Sequence, residues 1–272
     1  MTVSQWKLSS AEIQGSGHKK KNIPCQDKTY CVQRDKVKVV ALADGAGSAA
    51  LSHFGAESVT KAVAEYVVDT FEHLFSMEES EIRAGIATVI RDTLRMQSAR
   101  LECIEKDLSS TLLLAAVKKD SYIALHIGDG VIGCYERESM RVLSAPENGE
   151  YANMTWFTTT TDLEKVIRIY RGDASKMSGF ILMSDGVEPS LYDTNANTLA
   201  DATINLFFTN AKVDSNLMNE MLLESLQYAI APRTHDDCSI AVLSRSRFKK
   251  FQEYSKYRRR LVKRDRQSKN GR

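Results

Sequence analysis

Hydrophobic and polar positions alternate along the chain with two different periods, which predict blocks of strands and helices. Residues 36–43 (KVKVVALA) alternate and then become wholly apolar, as is typical of a strand that enters a core. Apolar residues then recur at helical spacing over residues 49–77, and again over residues 81–101. We therefore expect a buried strand followed by two long amphipathic helices.

The rest of the chain predicts mostly short strands. Three runs, separated by turn residues, indicate an antiparallel meander over residues 111–117, 122–127 and 131–135. We expect further strands at 166–170, 180–183 and 239–243, a helix over 217–230, and loop or irregular strand over 147–162. Because strands and helices come in blocks, the pattern favours an α+β fold with antiparallel sheets over a βαβ fold.

Composition places the chain among soluble globular proteins and excludes the disordered and fibrous classes. Of its 272 residues, 43% are hydrophobic and 26% are charged. No apolar run approaches the roughly 18 residues that a membrane span requires, and the polar start MTVSQWKLSS lacks the apolar stretch of a secretory signal. The five cysteines form no Cys-x-x-Cys pair, so we expect reduced thiols and a cytoplasmic location.

Charge is unevenly distributed and predicts two parts. Residues 245–272 contain 13 Lys and Arg against 2 acids, which leaves 24 basic and 33 acidic residues in residues 1–244. The tail is predicted to form a basic helix that extends into solvent or contacts a partner. Docking on the acidic body and nucleic-acid binding are alternatives, the latter disfavoured because no recognised nucleic-acid motif accompanies the tail.

Aspartates at the ends of the predicted strands are the candidate chemistry. Asp44 and Asp185 each follow an apolar strand and precede a glycine, Asp236 and Asp237 precede the last strand, and Asp129 lies between two glycines. One Asp-Gly pair alone is an ordinary turn signal. Several at the ends of buried strands predict a site for hard cations such as Mg²⁺ or Mn²⁺, which prefer oxygen ligands.

The order of short motifs resembles that of the metal-dependent type 2C protein phosphatases, especially their compact bacterial branch. The matching motifs, over about residues 10–244, are SGH (16–18), PCQD (24–27), ADGAGS (43–48), SST (109–111), GD (128–129), SDG (184–186) and DDCSI (236–240). The resemblance implies a phosphatase domain over residues 1–244, followed by the basic tail 245–272. It also implies a four-layer α/β/β/α sandwich, in which helices flank two antiparallel sheets.

The resemblance further implies roles for individual residues in a centre of two Mg²⁺ or Mn²⁺ ions. Asp44 resembles the carboxylate that bridges both ions, and the carbonyl of Gly45 resembles a ligand of one of them. Asp185 and Asp236 resemble the ligands of the other ion. Asp27 resembles an aspartate that acts directly or through water.

Two further sets of residues complete the implied site. Asp129 resembles the carboxylate that, with Asp185, holds a weaker third ion. Asp237, which stands where the family often has Asn, is expected to support the ligands without touching metal. Gln26 stands where many members have Glu and carries no charge, so a supporting role with water-mediated binding is expected there.

The implied reaction is hydrolysis of phosphoserine or phosphothreonine by a water bridged between the two ions. Phosphorylated proteins are the implied substrates, with a cognate kinase system. The alternatives are a catalytically weakened phosphatase-like binding module and nucleic-acid binding through the tail. Because Asp44, Asp185 and Asp236 are all present, activity is favoured.

This sequence lacks two residues that serve defined functions in many members of the family. Ala46 stands where eukaryotic members carry a histidine, a candidate general acid, and no arginine upstream of Gln26 matches the one that holds substrate phosphate in many members. His18 and Lys19–Lys21 are the candidates to replace one or both functions, so His18 joins Asp44 as a predicted catalytic residue. His126, in an apolar strand, is expected to be a core residue.

Overall fold

The computed structural model of the protein describes residues 5–147 and 155–245. Its strands are β1 Lys7–Ile13, β2 Lys28–Arg34, β3 Val37–Ala43, β4 Leu112–Lys118, β5 Ser121–Ile127, β6 Val131–Glu136, β7 Ser139–Ser144, β8 Arg168–Asp173, β9 Met177–Met183, β10 Tyr192–Asp193, β11 Thr198–Leu199 and β12 Cys238–Ser244. Its α-helices are α1 Ser16–Lys21, α2 Ser52–Ser76, α3 Glu79–Leu101, α4 Leu163–Val166, α5 Glu188–Leu191, α6 Ala202–Asn210 and α7 Ser215–Ser225.

Two five-stranded sheets form the centre of the fold, and every strand pair in them is antiparallel. Sheet I has the order β1-β12-β9-β6-β7, and sheet II has the order β2-β3-β4-β5-β8. β10 and β11 pair separately as a two-stranded hairpin.

The alternation of side chains along the strands builds four layers. In β3, Val39 and Ala41 pack with α2 and α3, whereas Val40 and Leu42 face sheet I. On the far side of sheet I, one face of β9 and β12 packs against α6 and α7. The order is therefore helices, sheet II, sheet I, helices, which confirms the α+β four-layer sandwich of two antiparallel sheets.

The predicted three-stranded meander is wrong in its third strand. β4 and β5 form a hairpin in sheet II, but β6 pairs with β9 and β7 in sheet I. The chain changes sheets at residues 128–130. Gly128 has φ +107°, and a Cβ there would lie 2.6 Å from Cγ2 of Thr111, so the crossing requires glycine. Local alternation cannot reveal this change, because both strands have the same apolar pattern.

Several other boundaries differ from those predicted. The strand expected at 166–170 begins only at Arg168, after the helical turn α4, and the helix expected at 217–230 is α7 followed by a π-helical turn, Leu226–Ile230. The sequence pattern also missed β1, β2, β7, α1 and α6. Strand β2, for example, is at most partly buried along its length, so its alternation is weak.

The predicted basic helix lies outside the described residues except for Arg245. This side chain is only 5% exposed. Its Nη1 donates to Oδ1 of Asp120 at 2.9 Å, and its guanidinium lies 4.4 Å from the ring centroid of Trp6. Arg245 therefore packs with the body, at the end of the sandwich where β12 ends. Of the described helices, none has the length and apolarity that crossing a membrane requires.

Candidate metal centre

The strand order brings the predicted aspartates to one end of the sandwich. Asp44 follows β3, and Asp185 lies two residues beyond β9. In sheet I, Met183 at the end of β9 pairs with both Val131 and Ile240. This register places the segments that carry Asp129 and Asp236 on either side of the segment that carries Asp185.

Asp44 lies in the middle of a row of three carboxylates. Its side chain is within hydrogen-bonding reach of Asp27 and of Asp185. The negative charges of Asp236 and Asp129 in turn help to raise the pKa of Asp185. All five predicted carboxylates thus belong to one cluster, although Asp236 is largely exposed and Asp27 is fully buried.

Burial makes these carboxylates unusually weak acids. It raises the pKa of Asp27 to about 7, against the smaller opposing effect of the Ser239 and Ser184 hydroxyls. Burial and the negative charge of Asp236 raise the pKa of Asp185 to about 6. Burial and the charges of Asp27 and Asp185 raise that of Asp44 well above its ordinary value. The ionised forms therefore lack compensating positive charge from the protein.

The donor set fits divalent cations. Within residues 5–147 and 155–245, no three His, Cys, Asp or Glu side chains stand in an arrangement that could hold a metal ion without moving. However, Oδ2 of Asp27 and Oδ1 of Asp185 are buried without a hydrogen-bond donor. A buried carboxylate oxygen without a partner is costly unless a cation satisfies it. Oxygen donors are also the ligands that Mg²⁺ and Mn²⁺ prefer.

Close backbone contacts hold the turns around the cluster. A Cβ on Gly186 would lie 1.9 Å from the carbonyl oxygen of Asp237. The backbone N–H of Asp44 donates to Oγ1 of Thr111 at 2.9 Å, and that of Thr111 donates back to the Asp44 carbonyl at 2.8 Å. The SST motif therefore supports the turn that contains Asp44 and Gly45.

Asp237 connects the N-terminal segment to the cluster. Its side chain is buried and accepts from the backbone N–H groups of Gly15 and Gln26, both at 2.6 Å. Its Oδ2 also lies 2.9 Å from Nδ1 of His18. Gln26 in turn accepts from the N–H of Gly45 through its carbonyl. Asp237 and Gln26 thus connect residues 15–27 to the turn that follows Asp44, and their supporting roles stay predictions.

Two further residues, Glu188 and Thr155, lie near Asp129 and were not predicted from the sequence. Glu188 is partly buried, with a pKa raised by burial and, to a lesser extent, by the charge of Asp129. Thr155 donates to Asp129. Neither residue lies in a motif, so no sequence signal marks them. His126 is fully buried and hydrogen-bonded to Ser144 at 2.7 Å, which agrees with its expected place in the core.

The raised pKa values of Asp27 and Asp185 predict that metal ions stabilise the protein by an amount that depends on pH. Folded Asp27 and Asp185 keep their protons to about pH 7 and 6, whereas the unfolded chain loses them near pH 4. The folded state binds more protons in this window, so stability in chelator falls as pH rises from about 4 to 7. His126 opposes this trend below about pH 6.5, because burial lowers its pKa well below the ordinary value, but it is a single group.

Cations replace those protons, so their stabilising effect is expected to grow with pH. The measurement is the melting temperature at about pH 5 and pH 8, each in chelator and in excess Mn²⁺. We expect a larger Mn²⁺-induced increase at pH 8. An equal increase at both values would contradict the assignment of Asp27 and Asp185 to a cation site.

Known proteins share this fold and sequence pattern. The model of the protein phosphatase 2C family matches residues 14–227. Serine/threonine-protein phosphatase 3 of Escherichia coli (strain K12) is 24% identical over 249 residues, which cover 87% of this chain and 97% of that protein.

Solved structures of similar fold include the S. agalactiae serine/threonine phosphatase, with a TM-score of 0.60, 17% identity, and coverage of 88% of this chain and 99% of that one. They also include PppA, described as a key regulatory component of T6SS in Pseudomonas aeruginosa, with a TM-score of 0.58, 18% identity, and coverage of 90% and 99%. At these identities the structures support the fold alone. Because the family model matches well over half of its length, the chain belongs to the protein phosphatase 2C family and is a phosphoprotein phosphatase.

Proposed function

We propose that this protein hydrolyses phosphoserine and phosphothreonine in proteins, using two Mg²⁺ or Mn²⁺ ions held by the carboxylate cluster. The observation that carries the proposal is the row of Asp27, Asp44 and Asp185, in which Asp27 is buried and the other two are partly buried. One oxygen of Asp27 and one of Asp185 are buried without a donor. Such a row is unfavourable in a protein that never binds cations.

We assign the ligands from their positions in the cluster. Asp44, which contacts a carboxylate on either side, would hold both ions, and the Gly45 carbonyl beside it would be a ligand of one of them. Asp185 and Asp236 would hold the other ion, and Asp27, which is fully buried, would act on the ions directly or through water. Bound there, the two ions would lower the pKa of a shared water and stabilise the attacking and leaving oxygens. Asp129, next to Asp185, is the proposed site of a weaker third ion.

His18 is the proposed proton donor to the departing serine or threonine oxygen. Asp237 accepts a hydrogen bond from Nδ1, which orients the ring and leaves Nε2 available to hold and deliver a proton. The side chain is 16% exposed, so a substrate can reach it. Asp237 and Gln26 act as positioning residues, because they tie His18 and the Asp44 turn to one buried carboxylate.

Replacing His18 with glutamine is expected to lower kcat on a phosphothreonine peptide by about a hundredfold, with a smaller effect on a nitrophenyl phosphate. The leaving group of the aryl ester is a weak base and needs little protonation. The matched control is His73→Gln, which changes an exposed histidine on α2. Equal losses on both substrates would contradict the role as general acid.

Two alternatives remain from the sequence. A binding module with weakened catalysis is disfavoured because Asp44, Asp185 and Asp236 are retained and clustered. Nucleic-acid binding would depend on the tail, which lies outside the described residues from residue 246 onward. The cytoplasmic location and a cognate kinase remain predictions.

The direct test is hydrolysis of a phosphothreonine peptide with and without added Mn²⁺ or Mg²⁺. Phosphate release that depends on the ion and stops in excess chelator is expected. Full turnover in chelator would contradict the mechanism. Stoichiometric Mn²⁺ binding without turnover would instead favour the binding module.

A further inference from the structure

Helix α1 is fixed directly against the loop that carries Asp236. The N–H of Gly17 donates to the carbonyl of His235 at 2.8 Å, and Oγ of Ser16 lies 2.9 Å from Nδ1 of His235. A Cβ on Gly15 would lie only 2.2 Å from the carbonyl oxygen of Asp236. The helix is therefore part of the wall of the candidate centre.

The C-terminal end of α1 is also fixed. Asn22 adopts the left-handed conformation, with φ 54° and ψ 33°, and its N–H caps the carbonyls of His18 and Lys19. The N–H of Ile23 donates to the carbonyl of His18 at 3.0 Å. The backbone of Lys19, Lys20 and Lys21 is consequently held in a single turn beside the site.

These three side chains, which we call the α1 lysines, are exposed and lack acidic partners. None of them forms an ion pair within the part of the chain that the structure describes. Some other basic side chains of the body do pair, such as Arg91 with Glu164 and Lys118 with Glu72. The α1 lysines thus place three uncompensated positive charges next to a cluster of carboxylates.

We infer that the α1 lysines select substrates in which Asp or Glu residues lie close to the phosphorylated residue. This inference rests on the proposed function and narrows its substrate class. Helix α1 has six residues and is about 9 Å long, which matches about three residues of an extended peptide. A phosphorylated residue at the centre would therefore place about three consecutive neighbours on one side of it beside the α1 lysines.

Exposed ion pairs are weak individually, but three of them add up to a measurable preference. We expect kcat/KM to be about tenfold higher for an acidic phosphopeptide than for an uncharged one, mainly through KM. Because the pairs are exposed, the preference should decrease as salt is raised.

The experiment compares two phosphothreonine peptides in Mn²⁺, one flanked by Glu and the other by Gln. The ratio of their kcat/KM values is measured for the parent chain at low and high salt. It is then measured for Lys19→Glu/Lys20→Glu/Lys21→Glu, where the ratio should fall to about one or below. The matched control, Lys36→Glu/Lys61→Glu/Lys176→Glu, changes three exposed lysines away from α1 by the same total charge and should keep the parent ratio.

A parent ratio near one would overturn the inference without any variant. So would a salt-independent ratio, or an equal decrease in both triple variants, which would indicate a general charge effect. If the first triple variant does not fold, the salt dependence and a Lys→Gln triple variant still decide the question. Failure of the proposed function is distinct, because neither peptide would then be hydrolysed.

Discussion

The Asp44→Asn variant is expected to lose phosphothreonine-peptide turnover by on the order of a thousandfold or more. Asp44 is the carboxylate that contacts both Asp27 and Asp185, so it is shared by both halves of the cluster. Asparagine keeps the size of the side chain and its turn-forming ability, but removes the charge that offsets the cations. Affinity for Mn²⁺ should fall. The fold should survive, since removing one of several carboxylates that repel one another does not destabilise the folded chain.

The matched control is Asp35→Asn in the turn between β2 and β3. Asp35 is exposed, lies at the opposite end of sheet II, and has φ 51°, a conformation that asparagine tolerates. Both variants are assayed across a Mn²⁺ titration, with circular dichroism to check folding. Turnover by folded Asp44→Asn within a few-fold of the parent at saturating Mn²⁺ would refute the assignment of Asp44.

Phe180→Ala is expected to lower the free energy of unfolding by about 3–5 kcal/mol. Phe180 in β9 is fully buried between the two sheets, and its ring centroid lies 5.1 Å from that of Tyr122 and 6.1 Å from that of Trp6. Truncation leaves a large cavity, which rigid strands cannot fill by moving. Because β9 leads to Asp185, metal binding should be lost together with the fold and not before it.

Urea unfolding followed by circular dichroism measures this effect. Tyr228→Ala is the control, since Tyr228 is 73% exposed and its truncation should change stability by no more than about 0.5 kcal/mol. A loss below about 1 kcal/mol for Phe180→Ala would contradict the tight packing of the two sheets against each other.

The sequence predicted most of the architecture wherever burial leaves a strong local pattern. The strand that precedes Asp44 is an almost continuous apolar run, because both of its faces are buried. Helices α2 and α3 keep a clear apolar periodicity, because one face of each is buried. Strand β2 and helix α1, with little burial, gave no such signal. The ordered motifs identified the family, and the family implied the four layers.

The sequence by itself thus predicted which aspartates form the candidate site, through glycine-bearing turns at the ends of buried strands. Only the tertiary structure decided which of them meet. The register of β6, β9 and β12 brings Asp129, Asp185 and Asp236 together across more than a hundred residues of chain. The crossing at Gly128, which sequence analysis missed, places β6 in sheet I.

Contacts of Asp237 with Gly15, His18 and Gln26 likewise depend on the pairing of β1 with β12. Local periodicity records whether a side chain is buried, but the partner of a strand is set by packing between distant segments, which a single sequence does not record.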